Sequence, residues 1–129
     1  MRTGLFSRIR SAVLSLLVRK PMVQIPEVVF IGAADYLIRH KAKYPLLGET
    51  LPDDTEIIIR KAQSSCSKQN TLLHEILHAI VWESGYRQVA DLSTDQEETM
   101  VRVLTPWILA VLQDNPAVLT FLLTKGAGE

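Results

Sequence analysis

The spacing of apolar positions changes period near residue 65. Before that point the apolar runs are short and rich in β-branched residues. Val28-Val29-Phe30-Ile31 ends at Gly32, Tyr36-Leu37-Ile38 sits within the stretch Asp35 to Lys41, and Ile57-Ile58-Ile59 lies between Glu56 and Arg60. Each run reads as a strand, the first two joined as a hairpin at Gly32-Ala33-Ala34. Between the second and third runs, Pro45, Gly48, Pro52 and the pair Asp53-Asp54 predict a loop. A polar connector from Gln63 to Asn70 follows, with Ser65 and Ser67 as candidate helix starts.

Beyond it the period is helical. Leu72, Leu73, Ile76, Leu77, Ile80 and Val81 recur at steps of three and four, and Gly85 stands where a C-cap glycine belongs. Tyr86 to Leu92 reads as a loop, and Ser93-Thr94 supplies N-cap residues for a second helix. Its stripe is Val101, Leu104, Ile108, Val111 and Leu112, with Pro106 either kinking it or restarting it after Thr105. Asn115-Pro116 opens a last short helix to Leu123. The expected fold class is α+β: a small antiparallel or mixed sheet of about three strands, then three to four helices.

Composition narrows the class. At 129 residues, 47% hydrophobic and 22% charged, the chain is too apolar for disorder and suits one domain. Lys plus Arg and Asp plus Glu are both 14, so no global charge draws the chain to nucleic acid. The single Cys66 excludes an internal disulfide framework and any zinc site built from several thiolates. A reducing, cytoplasmic setting is the expectation.

Charge is nevertheless unevenly spread. Residues 1–48 carry eight bases against Glu27 and Asp35, whereas residues 49–129 carry six bases and twelve acids. No acid precedes Glu27, and the apolar run Ala12 to Val18 is too short to cross a membrane. No small-x-small cleavage site follows it. Residues 1–24 are therefore expected to be a basic arm or peripheral helix that touches an acidic surface, and residues 25–129 the folded domain.

The chemistry is carried by His74-Glu75-Ile76-Leu77-His78, an HExxH motif inside the first strong helical stripe. Residues four apart on a helix project from one face, one turn apart, so both imidazoles can share one zinc ion. Glu75 is rotated by about 100° from His74 and cannot chelate beside them, which suits it to act as a general base. A plain polar helix surface is the alternative, but two histidines beside Leu77 and Val81 are costly without a partner.

A third ligand must come from elsewhere in the chain. Glu97, Glu98, Asp95, Asp91 and His40 are the candidates. With Leu104 taken as the centre of the core face, Glu97 falls at about 20° and Glu98 at about 120° on the second helix. Glu97 is therefore favoured, with Glu98 as the alternative. A Thr94-x-x-Glu97 capping box would occupy Glu97, whereas a Ser93-x-x-Gln96 box would leave it free. Tyr86, Arg102 and His40 are conceivable oxyanion donors, each with a simpler structural role, and Cys66 is expected to be a plain loop thiol.

Thr71-Leu72-Leu73-HEILH-Ala79-Ile80, followed by Glu97-Glu98-x-x-Val101-Arg102-x-Leu104 and Asp114-Asn115, is similar to small phage and prophage proteins grouped with the ImmA/IrrE-type, gluzincin-like metallopeptidases. The likeness runs from about Ile25 to Leu123. It implies a minimal zincin-like domain with one zinc held by His74, His78 and a glutamate of the Glu97-Glu98 pair, and Glu75 as base. It also implies a protein or peptide substrate, such as a regulator, laid along an edge strand, here expected to be Glu56 to Arg60. The alternative is a non-catalytic, zinc-stabilised interaction module. A third reading makes the basic arm the working part, as an adaptor for membrane or nucleic acid.

Overall fold

The computed structural model describes residues 24–126, so the expected arm lies almost wholly outside the described residues. Four strands form, one more than expected: β1 (Val28–Ile31), β2 (Ala34–Lys41), β3 (Gly48–Leu51) and β4 (Glu56–Arg60). The helices are α1 (Ser65–Ser84), α2 (Tyr86–Val89), α3 (Thr94–Asp114) and α4 (Pro116–Leu123). The α+β class is as expected, and the sheet is mixed.

The strand order is β1-β2-β4-β3. The β1–β2 and β3–β4 pairs are antiparallel, and β2 runs parallel to β4 with Ile38 opposite Ile57 and His40 opposite Ile59. This corrects the edge-strand expectation, because β4 is interior and β3 occupies the edge. Ile57, Ile58 and Ile59 are all buried, so both faces of β4 are covered. A strand covered on both faces reads as a continuous apolar run. The segment Gly48–Leu51 carries no such signal and sits between prolines.

Residues 26–107 form one compact unit holding the sheet, α1, α2 and the first part of α3. Its core comprises Tyr36, Ile38 and the β4 isoleucines from the sheet, Ala79 and Val81 from α1, and Val101 from α3. The Tyr36 hydroxyl donates to Glu83 at 2.7 Å, tying β2 to the last turn of α1. Burial and that carboxylate push the Tyr36 phenol far above its ordinary value.

Helix α1 begins at Ser65, the first of the two expected starts, with Ser64 as its N-cap, whose hydroxyl accepts from the Ser67 amide at 3.1 Å. It ends as expected at Gly85, whose φ of 71° is open to glycine at little cost. The segment read as a loop after it contains the single turn of α2. Helix α3 runs through Pro106 without restarting, and the buried Thr105 hydroxyl donates back to the Val101 carbonyl at 2.6 Å. Residues 108–126 belong to a second compact unit, in which Phe121 and Leu123 of α4 are exposed. Among the described residues, no single helix is long and apolar enough to cross a membrane.

Candidate metal centre

His74 and His78 lie one turn apart in the middle of α1, and α3 brings two glutamates against them. The His74 and His78 Nε2 atoms are 3.1 Å apart. Glu98 spans both, with Oε1 3.2 Å from His74 Nε2 and Oε2 2.8 Å from His78 Nε2. These three residues form a group whose ligand atoms all lie within 4.8 Å of one another. Two nitrogens bound at about 2.0–2.1 Å to a tetrahedral ion stand roughly 3.3 Å apart, so the imidazole spacing fits such an ion. A carboxylate oxygen and an imidazole nitrogen at 2.8 Å need a proton or a cation between them. The donor set of two imidazoles and a carboxylate suits zinc and other divalent transition metals.

Glu97 takes a different place. Its Oε2 lies 2.7 Å from His78 Nδ1, on the far side of the ring from Nε2. A carboxylate there accepts the Nδ1 proton, which fixes the tautomer and turns the Nε2 lone pair toward His74 and Glu98. The preference for Glu97 over Glu98 as third ligand does not match this geometry. The reason is the reference point: Leu104 is 46% exposed, while Val101 and Thr105 are buried. Recentred on those two residues, the core face sits near 80°, and Glu97 and Glu98 straddle it at about 60° and 40°.

Both glutamates are free for this role because the α3 N-terminus is capped without them. Ser93 and Gln96 form a reciprocal capping box, with the Ser93 amide donating to Gln96 Oε1 at 2.9 Å and the Gln96 amide donating to Ser93 Oγ at 3.1 Å. Thr94 instead accepts from Arg87 at 2.6 Å. Burial holds the His74 imidazole below its ordinary range, with Glu98 partly opposing that and His78 reinforcing it. A neutral imidazole is the form that ligates a metal. The centre opens to solvent on the Glu98 side, whose side chain is 52% exposed against 18% for His74 and 14% for His78.

Glu75 points from the same helix toward the sheet and is only 6% exposed. Thr50 of β3 donates to its Oε2 at 2.6 Å and approaches its backbone carbonyl at 2.9 Å. Burial pushes the Glu75 carboxyl above its ordinary range, while the Thr50 hydroxyl and His78 pull the other way. Thr50 was not among the expected site residues, because its strand lies in the segment read as a loop. Of the residues considered as oxyanion donors, His40, Tyr86 and Arg102 are all exposed, as is Cys66. Compared with known proteins, the chain matches no family model, no curated protein and no solved structure.

Proposed function

We propose that this protein is a zinc metallopeptidase, a hydrolase of the gluzincin-like kind that its HEILH and Glu-Glu segments resemble. The observation that carries the reading is the convergence of His74 Nε2, His78 Nε2 and the Glu98 carboxylate, with Glu75 on the same turn of α1. Held by His74, His78 and Glu98, a zinc ion would supply a Lewis acid that polarises a carbonyl and makes water acidic near neutral pH. Glu75 would take the proton from the attacking water and pass it to the departing amine as the peptide C–N bond breaks. Glu97 keeps the His78 ring in the tautomer that ligation requires. The substrate is a protein or peptide, and a regulator fits the resemblance.

Metal content and cleavage test the reading together. Protein purified without a histidine tag should hold close to one zinc per chain by elemental analysis. The zinc-loaded protein should cut members of a proteome-derived peptide library, read by mass spectrometry, and Glu75→Gln should hold the zinc but stop the cutting. Cleavage that survives in Glu75→Gln would exclude the mechanism.

One observation favours a second reading, a zinc-stabilised interaction module without catalysis. Glu75 is nearly buried and already engaged by Thr50, as a purely structural carboxyl would be. On that reading His78→Ala lowers stability, and no peptide in the library is cut by the native chain.

A further inference from the structure

Strand β3 approaches α1 more closely than a side chain permits at Gly48. A Cβ placed there would stand 2.6 Å from Thr71 Cγ2 and 3.1 Å from Glu75 Cγ. Gly48 and Thr50 are two apart on one strand and so face the same side, toward α1. The missing side chain at 48 thus lets the strand settle until the hydroxyl at 50 reaches the Glu75 carboxyl. We propose that Thr50, seated by Gly48, is the positioning residue for the Glu75 carboxyl. The proposal rests on Glu75 acting as the base.

The contact is made through one carboxylate oxygen: Thr50 engages Oε2 at 2.6 Å. A free glutamate side chain samples many rotamers, and fixing them is an entropic cost that a preformed hydrogen bond offsets. The hydroxyl is neutral and brings no competing charge, so it orients the carboxyl without neutralising it. Thr50 also contacts the Glu75 carbonyl at 2.9 Å, which is a purely structural link between strand and helix. The two roles separate by experiment, since only the carboxyl contact bears on the metal side.

The test uses the full chain loaded with cobalt(II), whose visible bands report the surroundings of the ion. Glu75→Gln sets the reference shift in those bands. Thr50→Val should move them in the same direction, and Thr50→Ser should restore the wild-type spectrum. Against the peptide library, Thr50→Val should lower kcat by about 10–100-fold with KM within roughly two-fold, as expected for a misplaced group. If Thr50→Val does not fold, Thr50→Ala removes the same hydroxyl with less bulk. Wild-type bands in Thr50→Val, or a spectrum unmoved by Glu75→Gln itself, overturn the proposal, as does failure to take up cobalt. Absence of any cleavage by the wild type sinks the peptidase reading and the role of Glu75 as base, while the cobalt bands still decide whether Thr50 positions the carboxyl.

Discussion

Helix α1 meets β3 and α3 along two of its sides, and the two contacts are made of different physics. Against β3 the contact is one of shape: Gly48 has no side chain, Thr71 and Glu75 are buried, and the helix lies against the strand. Against α3 it is one of charge and lone pairs, with two imidazoles facing two carboxylates at 2.7–3.2 Å. The first tolerates no added volume, and the second tolerates no lost donor. One helix thus carries a steric seam and an electrostatic junction less than a turn apart, and only the junction is placed to hold an ion.

Substitutions at the junction should have the largest effects. His78→Ala removes a proposed ligand and the partner of Glu97 together, so zinc should fall from about one per chain to none by elemental analysis. Glu98→Ala should also strip the metal, whereas Glu97→Ala should weaken zinc affinity by about 10–100-fold in competition with a chelator, the range for an orienting carboxylate. The reverse order would return Glu97 to the role of ligand. At the seam, Gly48→Ala should cost about 1–3 kcal/mol in denaturant unfolding through overpacking, with zinc stoichiometry unchanged.

Smaller effects are expected away from both contacts. Tyr36→Phe removes the hydroxyl bonded to Glu83 and should cost about 0.5–1.5 kcal/mol. The Arg39–Glu56 pair, 2.5 Å apart on a side chain 58% exposed, should be worth no more than about 1 kcal/mol in a double-mutant cycle. A loss at Arg39 larger than that at Gly48 would mean that the sheet surface, not the helix seam, sets stability.

The junction was legible in sequence because spacing alone puts His74 and His78 on one helix face, and because Glu97 and Glu98 lie near the start of the second long helix. The choice between the two glutamates was not. It depends on where the core face of α3 is centred, and Leu104, apolar but half exposed, is a misleading marker for it. The seam was illegible for another reason. A four-residue edge strand beginning with glycine and followed by Pro52 has the composition of a turn, and β4 pairs it into the sheet. Thr50 is polar, sits in that segment, and acquires meaning only when the strand is laid against α1. The interior place of β4 was not legible either, because its isoleucines mark a buried strand without saying which strands pair beside it.

The strand order has a consequence for how the chain assembles. The β1–β2 and β3–β4 pairs are each local hairpins, able to form from neighbouring segments. What unites them is the single parallel pairing of β2 with β4, whose partners Leu37 and Glu56 are far apart in sequence. Joining two ready-made hairpins edge to edge is a loop-closure step, slower than forming either hairpin. Glu75 meets Thr50 on the second hairpin, while Tyr36 of the first holds Glu83 near the end of the same helix. Helix α1 is therefore the clasp across that joint, and the segment that carries the HExxH motif is also the one bonded to both halves of the sheet.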